Sequence, residues 1–137
     1  MLRQALRQNT TSASTVLVVD DDPWMRAEIG AILTDAGYAV NLASNGFTGL
    51  RLARELRPHV ILLDTELPEL SGAAVLDELR QHPATSDLVV ILKRATTDAC
   101  QLLAEVHAAV AQRGKRIPGI YHPPVRHRRA VAPAVLV

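Results

Sequence analysis

Two rhythms of apolar and polar residues take turns along this chain. "VLVV" (16–19) and "HVILLD" (59–64) are solid apolar runs without polar alternation, the pattern of strands buried on both faces. "LVVIL" (88–92) repeats the pattern, whereas "YAVNLA" (38–43) alternates and belongs nearer a sheet edge. Between these runs apolar residues return at helical spacing. Met25, Ile29, Ile32, Leu33 and Ala36 mark a helix that Asp22 caps, Pro23 begins and Gly37 stops. Phe47, Leu50, Ala53 and Leu56 predict a second helix, from Ser44 or Asn45 up to Pro58. Val75, Leu76 and Leu79 face inward on a third, after the loop "TELPELSG". The fourth, capped by Thr96 or Thr97, turns Leu103, Val106 and Val110 inward and runs to about Gln112, before Gly114.

Past Gly114 the pattern weakens. "RIPGIYHPPV" admits a short fifth edge strand around Ile120, and the tail "RHRRAVAPAVLV", with Pro133 inside it, is too short for a full closing helix. The expected organisation is a flexible extension over 1–14, one domain over 15–124, and a basic, apolar tail over 125–137. Repeated β–α units with buried strands specify an α/β fold, a parallel sheet with helices on both faces. Each crossover is right-handed and packs back on the sheet.

Charge narrows the function classes. All 14 acidic residues lie between Asp20 and Glu105, and residues 16–112 hold seven of the 15 Lys and Arg, a net charge of −7. The ends carry the remaining cations and no acid, so the body argues against nucleic acid as its partner. No apolar run approaches the roughly 18 residues of a membrane span. "MLRQALRQNTTSAST" lacks the apolar core of a secretory signal, so a cytoplasmic location is expected. The single Cys100 fits a reducing compartment and reads as a small apolar helix residue.

In open parallel sheets the functional crevice lies at the carboxyl ends of the strands. Asp20, Asp21 and Asp22 follow the first strand, Asp64 ends the third, and Lys93 and Arg94 end the fourth. Carboxylates gathered there repel unless a cation offsets them, and a hard divalent ion such as Mg²⁺ suits oxygen ligands. The Asp triplet alone is equally at home as a helix N-terminus, where negative charge favours the dipole. That reading does not account for Asp64. His107, His122 and His127 show no ligand spacing and read as surface residues, and "RHRR" as solvated tail.

"VLVVDDDP" (16–23) and "VILLDTELPELSG" (60–72), with Gly37 and the "NG" that opens the second helix, resemble the receiver domain of bacterial two-component response regulators. The resemblance runs from Thr15 to about Ala95. It implies a flavodoxin-like doubly wound parallel sheet of strand order 2-1-3-4-5, here with a short or irregular last strand and last helix. It implies Asp64 as phosphoacceptor and Mg²⁺ held by Asp20, Asp21, Asp64 and the backbone carbonyl of Glu66. Pro68 and Gly72 match the loop after the acceptor. The implied partners are a sensor histidine kinase or phosphotransfer protein upstream, and a downstream protein or a second copy of the chain.

Two positions depart from the family pattern. Where receivers carry Thr or Ser at the end of the fourth strand, aligning "VVILKRA" sets Arg94, with Lys93 before it. Where they carry a Lys before Pro after the fifth strand, "IYHPPV" sets Pro123, and Lys115 is the substitute by spacing. Arg94 is expected either to pair with Asp64 or to point into solvent. Two functions compete: a stand-alone phosphoacceptor in a His–Asp phosphorelay, and a pseudo-receiver that binds proteins independently of phosphorylation. An unrelated Mg²⁺-dependent phosphatase would need a cap and further catalytic residues that this chain lacks.

Overall fold

The computed structural model describes residues 13–94, 96–111 and 134–136. The elements are β1 (Thr15–Val19), α1 (Pro23–Asp35), β2 (Ala39–Ala43), α2 (Gly46–Leu56), β3 (Val60–Asp64), α3 (Gly72–Gln81), β4 (Val89–Lys93), α4 (Ala99–Ala111) and β5 (Ala134–Leu136). The strands form one sheet in the order β2-β1-β3-β4-β5, and every pairing is parallel. This is the flavodoxin-like order that the resemblance implies.

The period of two along a strand sorts its side chains between two cores. Val16 and Val18 of β1, with Val60 and Leu62 of β3, pack on Ile29 and Leu33 of α1 and on Leu102 and Val106 of α4. Leu17, Val19, Ile61 and Leu63 turn the other way, onto Leu50 and Ala53 of α2 and Val75 and Leu79 of α3. With both faces dry, a central strand has no use for polar residues, hence the unbroken runs. Each such Val, Leu or Ile contributes about 1.5–3 kcal/mol by leaving water. β2 lies at the edge, and its partly exposed positions tolerate Asn41.

Side chains start each helix. Asp22 Oδ1 accepts the amides of Trp24 and Met25 at 3.0 and 3.4 Å, Asn45 Oδ1 that of Thr48 at 2.8 Å, and Ser71 Oγ that of Ala74 at 3.2 Å. In α4 the cap differs from expectation. Asp98 takes the role, its carboxylate accepting the Cys100 amide at 2.7 Å and its carbonyl the Leu102 amide at 3.0 Å. Thr97 instead turns back, its Oγ1 accepting the Arg94 amide at 3.2 Å.

Two further differences have physical causes. α2 buries Gly46, Gly49, Leu50 and Ala53, and it leaves Phe47 59% and Leu56 44% exposed. A Cβ on Gly49 would stand 2.9 Å from Val19 Cγ2, so the helix lies too close to β1 for any larger residue there. Leu50 and Ala53 thus face the core as expected, while Phe47 and Leu56 give way to the glycines. Cys100 lies on α4, as expected of a helix residue, and is exposed. The short strand that pairs with β4 is Ala134–Leu136, inside the segment expected as tail. Ile120, Lys115, Pro123, His122 and His127 lie outside the described residues.

Candidate functional site

The carboxyl ends of β1, β3 and β4 meet at one edge, because the three strands are neighbours in register. The Asp triplet divides its labour there. Asp22 is exposed and caps α1, which is the ordinary reading of such a residue. Asp21 is exposed and Asp20 is 1% exposed, and each offers a carboxylate oxygen to a group that Asp64 completes. These three oxygens lie within 4.8 Å of one another.

Asp20 is the most constrained of the group. Its amide donates to the Ala43 carbonyl at 3.1 Å, its Oδ1 accepts the Asp22 amide at 2.9 Å, and its carbonyl accepts Nη1 of Arg26 at 2.7 Å. Oδ2 is buried and receives no directed hydrogen bond. It faces the Lys93 ammonium at 3.2 Å, a Coulomb contact rather than an aligned bond. Asp64, the last residue of β3, is 6% exposed, and its Oδ1 accepts the Glu66 amide at 3.0 Å. Burial pushes its carboxyl up from 3.8 to about 6, helped by the nearby Asp20 charge and opposed by the Glu66 amide and the Lys93 ammonium.

The helix after Asp64 starts at contact distance. A Cβ on Gly72 would lie 2.2 Å from the Asp64 carbonyl oxygen and 2.8 Å from Thr65 Cα, so only glycine lets α3 begin over the end of β3.

Lys93 and Arg94 behave unlike each other. The β3–β4 register sets Lys93, not Arg94, opposite Asp64. Lys93 is 3% exposed and turned into the acidic cluster, whereas Arg94 is exposed and makes no ion pair with Asp64. Adjacent strand residues point to opposite faces, so only one of the two can enter the crevice, and the ladder decides which. Thr96 is exposed and Thr97 is held by its bond to Arg94. His107, also exposed, is hydrogen-bonded with the Tyr38 hydroxyl at 2.5 Å, away from this edge.

Arg26 is a site residue that sequence reasoning passed over. An Arg one turn into a helix opposes the dipole and needs an anionic or carbonyl partner. That mismatch was the available signal. The donor set is all oxygen and holds one buried carboxylate oxygen without a directed bond, which fits a hard divalent cation such as Mg²⁺.

The family profile of the response regulator receiver domain matches residues 16–111. The chain is 38% identical over 80 residues to the DNA-binding dual master transcriptional regulator RpaA of Synechocystis, covering 58% of this chain and 33% of that protein. It spans well under half the length of the curated relatives it matches. Among solved structures, the chemotaxis response regulator CheY4 of Vibrio cholerae superposes with a TM-score of 0.67 at 21% identity, over 72% of this chain and 99% of that one. The receiver domain of sensor histidine kinase PA1611 from Pseudomonas aeruginosa, which has a magnesium ion coordinated in its active site cleft, gives 0.68 at 21% identity, over 73% and 99%. These two likenesses establish the fold. Among the described residues no helix is long and apolar enough to cross a membrane.

Proposed function

The chain belongs to the receiver-domain family of response regulators, and on that premise we propose that Asp64 accepts a phosphoryl group from the phosphohistidine of a sensor histidine kinase or phosphotransfer protein. The observation that carries this reading is the buried Asp64 carboxylate at the end of a central strand, grouped with Asp20 and Asp21 within 4.8 Å. A carboxylate oxygen of Asp64 attacks phosphorus. The P–N bond breaks, its electron pair stays on the imidazole nitrogen, which takes up a proton, and an acyl phosphate remains.

The chain's own groups prepare this step. The Glu66 amide fixes one oxygen of Asp64, and Arg26 holds the Asp20 carbonyl and with it the turn after β1. In the metal-free chain burial raises the Asp64 carboxyl to about 6, so there the nucleophile is ionised above that pH. Asp20, Asp21, Asp64 and the Glu66 backbone carbonyl would hold Mg²⁺, which would supply neutralisation of charge on the transferring oxygens. The new negative charge then biases contacts with a downstream protein or a second copy. Because residues 16–112 carry a net charge of −7, we assign their contacts to proteins in the cytoplasm rather than to nucleic acid.

The test is incubation with a small acyl phosphate or phosphoramidate, with and without Mg²⁺, followed by intact mass. One phosphoryl group on the wild type and none on Asp64→Asn is the expected result. The pseudo-receiver reading has one observation in its favour, the buried Lys93–Asp20 pair, and absence of any adduct would favour it.

A further inference from the structure

Three of the polar atoms on Asp20 are committed to the protein: the amide to Ala43, Oδ1 to the Asp22 amide and the carbonyl to Arg26. Oδ2 is the atom left for a ligand, and the Lys93 ammonium stands 3.2 Å from it. The Lys93 side chain is 4% exposed, and a lysine is that buried only where a carboxylate compensates it. The placement is not a matter of a flexible stem finding a partner. Lys93 closes the β4 ladder level with Asp64, and its carbonyl is held by the Thr65 amide at 2.9 Å.

We infer that Lys93 is a resident monovalent cation of the acidic pocket, competing with Mg²⁺ for Asp20 Oδ2, so that a divalent ion binds only by displacing the ammonium. This rests on the phosphoacceptor reading for the identity of the metal, and it concerns a residue outside that metal's ligand set. With Lys93 in place, the two buried carboxylates Asp20 and Asp64 already share one positive charge. A divalent ion on the same oxygen would meet the ammonium at short range, in a dry site where like charges repel strongly. Its affinity is therefore set by the ease of turning Lys93 out, as well as by its own ligands. Lys93 thus acts on the metal through Asp20, as a positioning residue.

Calorimetric Mg²⁺ titration of the full chain tests this, with Trp24 fluorescence as a second readout. Trp24 is 81% exposed and two residues beyond Asp22, so it is the natural reporter for that turn. Lys93→Met, which keeps the length and removes the charge, should bind Mg²⁺ at least tenfold more tightly than the wild type. Lys93→Arg, which keeps the charge, should stay close to the wild type. Should Lys93→Met fail to fold, Lys93→Gln is read the same way. Equal or weaker Mg²⁺ affinity in the neutral variants overturns the inference, and so does an absence of Mg²⁺ binding in all of them. The phosphoacceptor reading fails separately. A phosphoryl adduct together with equal Mg²⁺ affinities would overturn only the role of Lys93. Tenfold tightening with no adduct would support that role and overturn the acceptor.

Discussion

Replacing Asp64 by Asn should make the protein more stable, and by an amount that depends on pH. The wild-type carboxyl titrates near 6 in the folded chain against 3.8 when solvated. The folded state thus holds its proton more tightly than the unfolded one. Below about pH 4 both states are protonated and the site costs nothing. As pH rises from about 4 to 6 the unfolded chain ionises while burial beside Asp20 keeps the folded carboxyl protonated, and stability is lost. At about 1.36 kcal/mol per pKa unit, the cost reaches about 3 kcal/mol above pH 6. Asn stands in for the neutral acid, still offers an acceptor to the Glu66 amide, and leaves Asp20 and Lys93 as a balanced pair. The variant should therefore gain about 2–3 kcal/mol at pH 8 and well under about 1 kcal/mol at pH 4. In melting temperature that is roughly 4 °C or more for each kcal/mol in a domain near this size. Urea denaturation of both proteins at several pH values, in a chelator, measures the difference directly. A gain that is the same at pH 4 and pH 8, or no gain at pH 8, would refute the claim that Asp64 is a crowded, buried carboxylate.

Two smaller changes probe the frame of the site. Gly72→Ala puts a Cβ 2.2 Å from the Asp64 carbonyl oxygen, so it should cost about 1–3 kcal/mol by overpacking and slow phosphoryl uptake; urea midpoints and adduct kinetics read both. Asp22→Ala should cost about 1 kcal/mol through loss of the α1 cap. It should leave Mg²⁺ affinity unchanged in calorimetry, and a large loss of affinity would put Asp22 in the metal cluster after all.

Central strands were legible because a strand dry on both faces has a single solution in sequence, an unbroken apolar run, as at Val16–Val19 and Val60–Leu63. The α1 cap at Asp22 and the stop at Gly37 (φ 100°) were legible for the same reason, since each needs a particular residue chemistry. On α2, Leu50 and Ala53 were legible but the rest of the inner face was not, because close packing against Val19 selects Gly49, and a small residue leaves no trace in a count of apolar ones. The cap of α4 was misjudged among adjacent candidates, where Asp98 reaches the Cys100 amide and Thr97 is drawn back to Arg94.

The acidic cluster itself was visible, because Asp20 and Asp21 follow one buried strand and Asp64 ends another. Which of Lys93 and Arg94 joins it was not. One residue of register between β3 and β4 separates a buried ammonium from a solvated guanidinium, and register is set across the sheet rather than within the strand. β5 escaped for a related reason. Three residues after a proline carry little pattern of their own, and among the described residues it is the β4 edge that Ala134–Leu136 pairs with.

The most direct test of the phosphoacceptor is to locate the bond it makes. After treatment with a phosphodonor and Mg²⁺, borohydride reduction converts an aspartyl phosphate to homoserine, which tandem mass spectrometry of the digested chain assigns to a position. Homoserine at residue 64 and at no other position is the predicted result. Homoserine at Asp20 or Asp21 instead, or unmodified Asp64 in a folded, Mg²⁺-treated sample, would contradict it.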